Sequence, residues 1–89
     1  MIRRGLAIRN RLGLHARAAA RFVHTASGFR SRVTASCDGR TMDGKSILGI
    51  LLLAASQGTV IEVTAEGQDE EAAMEALAAL VERGFGEEA

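Results

Sequence analysis

Proline, tryptophan and tyrosine are absent from this chain, phenylalanine occurs three times and cysteine once. A lone cysteine, Cys37, closes no internal disulfide and supplies neither a zinc framework nor a CxxC redox pair, so the fold needs no oxidising compartment and a cytoplasmic setting is expected. Scarce aromatics argue against a surface that stacks nucleic-acid bases. Long apolar runs are missing too: the longest, Ile47 to Ala55, is about half of what a bilayer demands. Near the N-terminus Arg3 and Arg4 are followed by only a few apolar residues before Arg9 and Arg11, so the apolar core of a signal peptide is lacking. Export and membrane insertion are not expected.

What is present fits one small domain, residues 1–89, of ordinary globular composition with 47% hydrophobic and 25% charged residues. A chain this short buries roughly 60–65% of its unfolded surface, which leaves little room for a deep catalytic cleft. The formal net charge is zero, yet residues 1–45 hold ten Lys or Arg against two Asp, while residues 46–89 hold one Arg against nine acids. Arginine-rich elements in the first half would attract acidic partners or phosphate over a screened range of about 8–10 Å.

Periodicity divides the chain. Leu6 and Ile8 alternate with Ala7 and Arg9 as a half-buried strand; from Ala16 the spacing of Ala19, Phe22, Val23 and Ala26 becomes helical, and Gly28 stops it. Val33, Ala35 and Cys37 alternate again before the tight-turn pair Asp38, Gly39, predicting two antiparallel strands. A second helix is predicted from Ser46 to near Gly58, then a strand through Ile61, Val63 and Ala65, a turn at Glu66 to Gln68, and a last helix with Ala73, Met74, Leu77, Leu80 and Val81 on one stripe. The order is β, α, β, β, α, β, α. An α+β fold follows, with one antiparallel sheet and the helices packed on a single face.

Two places carry chemistry. His15 stands where the Gly13 loop gives way to the first helix, a junction that Ser, Thr, Asp or Asn would cap better. Unpaired N–H groups and the positive end of the helix dipole make that junction an anion site, and Arg17 adds a guanidinium suited to phosphate oxygens. By spacing alone His15 is either an unusual cap or surface residue, or a phosphoryl acceptor whose new charge is cradled by the Ala16 and Arg17 backbone and the Arg17 side chain. His24, at helical spacing with Arg17 and Arg21, reads as part of a solvated face, about 13 Å along the helix from His15 and unable to share a metal with it. No metal site or cofactor is expected.

Ser46 precedes ILGILLL and reads either as a plain N-cap or as a phosphorylation switch that sets negative charge beside an apolar surface. Apolar residues from Ile47 to Leu53 encircle their helix, and a thin domain either covers most of them or leaves some as a docking patch; those nearest the cap, Ile47, Leu48 and Leu51, are the candidates.

GLHARAA, the DGKSILGILLLAAS block and the element order together resemble the histidine-containing phosphocarrier (HPr) family of the bacterial phosphotransferase system, over essentially the whole chain. The resemblance implies an open-faced β-sandwich of four antiparallel strands and three helices. It implies that His15 takes a phosphoryl group on Nδ1 from phosphorylated enzyme I and passes it to an IIA protein or domain, that Arg17 is the family's arginine, and that Ser46 is the serine modified in many bacteria by HPr kinase/phosphorylase. Ile47, Leu48 and Leu51 match the family's docking residues. The implied protein is a monomeric carrier, a cosubstrate of phosphotransferases more than a turnover catalyst. Ala18 stands where many members have proline, so the first helical turn is less rigidly preset, though alanine is an excellent helix former. NRLGLHAR and the GFGEE ending are also similar to NPr, the nitrogen-branch regulatory paralogue.

Two other classes compete. Nucleic-acid binding draws on the arginine-rich half, but Phe22, Phe29 and Phe85 fall on or beside helices and away from strands. A ligand-sensing regulatory domain would need a pocket that the sequence does not place.

Overall fold

The computed structural model describes residues 1–87; the final Glu of the GFGEE ending and the residue after it lie outside the described residues. Strands β1 (Ile2–Ala7), β2 (Arg32–Cys37), β3 (Arg40–Asp43) and β4 (Val60–Glu66) form one antiparallel sheet in the order β1-β4-β2-β3. Helices α1 (Ala16–Ser27), α2 (Ile47–Leu52) and α3 (Glu70–Glu82), with a short 3-10 turn at Gly84–Gly86, complete the expected α+β open-faced sandwich.

Strand alternation decides the two sheet faces. Leu6 lies opposite Ile61, and Val33 and Ala35 lie opposite Ala65 and Val63, all buried against the helices. Their neighbours Arg3, Arg32, Thr34, Ser36, Glu62 and Thr64 stand on the open face. The register puts hydroxyls together there: Thr34 and Thr64 are hydrogen-bonded across β2 and β4, and Ser36 meets Thr41 at 2.9 Å. No aromatic side chain stands on that face, and Phe22 and Phe85 are buried beneath the helices. The base stacking that an RNA-binding sheet relies on has no platform on this face.

On the covered side, Ala18, Ala19, Phe22, Val23 and Ala26 of α1 and Ala73, Met74, Leu77, Ala78, Leu80 and Val81 of α3 complete the core, matching the spacing read from the sequence. Asp69 precedes α3 but does not cap it. Its carboxylate crosses to the segment before β2, accepting from the backbone N–H of Arg30 and of Ser31 at 2.9 Å each and from the Ser31 hydroxyl.

The second helix is shorter than its sequence suggests. It ends at Leu52 where a helix to near Gly58 was expected, because Ala54 takes a left-handed conformation (φ 51) and turns the chain away. That turn presents the carbonyl of Ala55 to the N–H of Leu14 at 2.9 Å. Gly13, at φ 64, lies so close that a Cβ there would stand 2.5 Å from the Ala55 oxygen. Only glycine fits this crossing of two backbones.

Two outcomes follow. Gly13→Ala should cost about 2–4 kcal/mol, through left-handed strain and a clash with backbone, seen as a lower denaturant midpoint. The hydrogen bonds from Ser31 and Arg30 hold the Asp69 carboxyl down at about 2, against an ordinary 3.8. A depressed carboxyl stabilises the fold above its unfolded value and loses that contribution as pH falls through the folded one. Wild-type melting temperature should therefore fall between about pH 4 and pH 2, and Asp69→Ala should flatten that part of the profile while lowering stability at neutral pH.

Candidate functional site

The junction ahead of α1 is built from backbone contacts. After β1 the chain turns at Asn10, whose carbonyl accepts from the Gly13 N–H at 3.1 Å while its side-chain NH₂ donates to the Gly13 carbonyl at 2.8 Å. Leu14, the last residue before the cap, is buried and anchors the helix entry. His15 follows in extended conformation (φ −74, ψ 178) and is itself the N-cap: its Nδ1 accepts from the Arg17 N–H at 3.3 Å. This is a long hydrogen bond, so the nitrogen lone pair faces the amides without being tightly engaged.

The imidazole is neither walled off nor free. Its side chain keeps 27% of its surface exposed. Nδ1 looks onto the head of α1, and Nε2 is paired with the carboxylate of Glu87. An acceptor at Nδ1 and a carboxylate at Nε2 together require the ring proton on Nε2, which leaves Nδ1 free as a nucleophile. Ala16 and Arg17 are exposed, and among the described residues the Arg17 guanidinium makes no ion pair. A shallow groove lined by Leu12, His15, Ala16, Arg17, Arg21, Gly86 and Glu87 gives access. Among the described residues no cluster of His, Cys, Asp or Glu has metal-binding form.

Sequence reasoning missed Glu87, which lies 72 residues from His15. The GFG turn delivers it. Gly84, Phe85 and Gly86 all take positive φ (63, 58 and 75), folding the chain back after α3, and Phe85 is buried as an anchor. Arg21 of α1 donates through Nη1 to the Phe85 carbonyl. Burial pushes the Glu87 carboxyl up, but hydrogen bonds from Asn10 and His15, with the Arg21 charge, outweigh it and hold the group below the usual carboxylate range.

Ser46 caps α2, its Oγ accepting from the Gly49 N–H at 3.0 Å, and it is half-buried. Beside it Ile47 and Leu48 are exposed at 47% and 67%, whereas Leu51 is partly buried against the core; Leu52, exposed at 49%, joins the patch unanticipated. His24 is exposed on α1, facing solvent as expected, and the Cys37 thiol is buried. No described helix is long and apolar enough to cross a membrane.

Comparison with known proteins agrees with this geometry. A family model described as "PTS HPr component phosphorylation site" matches residues 2–83. The chain is 52% identical over 88 residues to a phosphocarrier protein HPr of Xylella fastidiosa, covering 99% of both chains. It is 47% identical over 87 residues to one of Neisseria meningitidis, covering 98% of both. The fold superposes on a crystal structure of HPr from Thermoanaerobacter tengcongensis with a TM-score of 0.95, at 48% identity and full coverage of both chains. Motif, fold and full-length similarity agree: the chain belongs to the HPr family and is a phosphoryl carrier of the phosphotransferase system.

Proposed function

We propose that His15 Nδ1 accepts the phosphoryl group from phosphorylated enzyme I and hands it to an IIA protein, the chain serving as a cosubstrate that both phosphotransferases turn over. The observation that carries this is the position of Nδ1 at the head of α1, lone pair toward the Arg17 amide. In the transfer the Nδ1 lone pair forms a bond to phosphorus, the donor's bond to phosphorus breaks, and that electron pair stays with the donor. The Arg17 N–H, released from Nδ1, is free to donate to a phosphoryl oxygen with the Ala16 N–H beside it. The exposed Arg17 guanidinium adds bidentate charge, and the helix end favours the dianion. These donors act on the charge of the migrating group, where electrostatic stabilisation is strongest.

Docking is assigned to Ile47, Leu48 and Leu51, with Leu52 added by its exposure. Apolar side chains left on the surface at the head of a short helix fit a partner's apolar contact, while Arg17 and Arg21 suit an acidic surface around it. Ser46 is the regulatory position, open to a kinase of the HPr kinase/phosphorylase type, because a phosphate there would put about two negative charges against that patch. The proposed working unit is a monomer and its setting the cytoplasm, where its single buried thiol needs no oxidant. The relatives bearing the HPr name favour the sugar-uptake branch over an NPr-type role.

Incubation with phosphoenolpyruvate and enzyme I should label the chain with an acid-labile, base-stable phosphate; label persisting in His15→Ala would refute the assignment. Leu48→Ala and Ser46→Asp should each raise the enzyme I KM for the carrier by about tenfold, with kcat changed little, measured in steady-state phosphorylation assays.

A further inference from the structure

Glu87 is tied into the site from both of its oxygens. Oε2 takes the Nε2–H of His15, and Oε1 accepts from Asn10 Nδ2 at 2.8 Å. Asn10 is 3% exposed, and its NH₂ also donates to the Gly13 carbonyl at 2.8 Å. Both of its donors meet acceptors, so a flipped amide would set an oxygen against two other oxygens. Among the described residues the buried Oδ1 of Asn10 meets no protein donor. That is a destabilising arrangement for a core residue, and it is tolerated at a position whose NH₂ holds the loop and the carboxylate together.

We infer that Glu87, held by Asn10, is a positioning residue that keeps the proton of His15 on Nε2 and stabilises the positive charge the ring acquires when Nδ1 bonds to phosphorus. The inference rests on the carrier reading above and adds to it a group outside the GLHAR motif. The electron count is simple: Nδ1 gives its lone pair to phosphorus, Nε2 retains its hydrogen, and the ring becomes an imidazolium with a carboxylate against its N–H. On transfer to the acceptor the Nδ1–P bond breaks, its pair returns to Nδ1, and the neutral ring is restored in the same tautomer. No proton leaves the ring at any point.

The other charges near the ring are the arginines Arg17 and Arg21 of α1, which line the same groove and disfavour a cationic ring. Glu87 is the one carboxylate among the residues lining that groove, and its side chain is 13% exposed, so solvent screens it little. The carboxylate sits at Nε2, across the ring from the incoming phosphoryl group, which lets it offset ring charge while keeping clear of the anion.

The test compares Glu87→Gln, which keeps a hydrogen-bond acceptor without charge, and Glu87→Ala with the wild-type chain. The ratio of phosphorylated to free chain at equilibrium with enzyme I and limiting phosphoenolpyruvate should fall about tenfold in Glu87→Gln, and kcat for phosphorylation should fall with KM little changed. Nitrogen NMR of His15 should find the Nε2–H tautomer in wild type and Glu87→Gln, and a mixture in Glu87→Ala. An equilibrium ratio within twofold of wild type in Glu87→Gln, with His15 still labelled, overturns the inference. Absence of label on wild-type His15 overturns the carrier reading instead. Amide spectra of both variants establish that the fold persists.

Discussion

The crossing of two backbones, Gly13 and Leu14 over Ala55 and Ser56, governs the geometry of this molecule. A hydrogen bond from the Leu14 N–H to the Ala55 carbonyl joins the loop after β1 to the turn after α2, beside the backbone pair of Ile8 with Gly58 and Thr59 and the Gln57 amide's bond to the Arg9 carbonyl. It aims α1 and puts His15 at its head. The crossing also explains why α2 is only six residues long, since Ala54 must leave the helix in a left-handed conformation to bring Ala55 into place. His15 and the head of α2 are thus held in one arrangement largely by main-chain contacts. A partner lying against the head of α2 meets a histidine whose position relative to that helix is fixed by main-chain packing.

Charge is redistributed by the topology. The sequence separates a basic first half from an acidic second half, but β4 of the acidic half lies between β1 and β2 of the basic half. Pairs therefore form across the divide: the N-terminal ammonium with Glu70 at 3.1 Å, Arg3 with Glu62 at 3.6 Å, and His15 with Glu87. The first two are solvent-exposed and contribute little to stability. The third is drier and lies at the site. Arg17 takes part in none of these pairs among the described residues.

The elements that the sequence makes legible are those whose residues bury one face at a fixed period. Ala19, Phe22, Val23 and Ala26 could be assigned to the core because a helix sets them on one stripe, and Val33, Ala35, Ile61, Val63 and Ala65 because a strand does. His15 and Arg17 stand out for the same local reason, as odd residue types at a helix start. The end of α2 was not legible: ILLLAAS carries no breaker, and the conformation of Ala54 is imposed by the loop it meets. The reach of the Asp69 carboxylate to the Arg30 and Ser31 amides, distant in sequence, has no local sign either. Glu87 had only the GFG turn to announce it. Pairings across such separations have no local signature, since they exist only once the core has brought the ends of the chain together.

Comparing α2 with α1 separates what folding requires from what it leaves over. On α1 the large apolar residues are inside, and the exposed residues are Ala16, Arg17, Ala20, Arg21, His24 and Ser27. On α2 only Gly49 and Ile50 are fully buried, yet Ile47, Leu48 and Leu52 are as apolar as any core residue. Six residues make fewer than two turns, so one side of this helix suffices to anchor it, and polar residues elsewhere would leave the packing intact. The retained apolar side chains gain nothing from this fold alone, because their area stays in water. Their benefit arises only when another surface covers them. Ser46 sits at the edge of that area with its hydroxyl already directed to the Gly49 amide, so adding charge there changes the exposed patch while leaving the buried side of α2 in place.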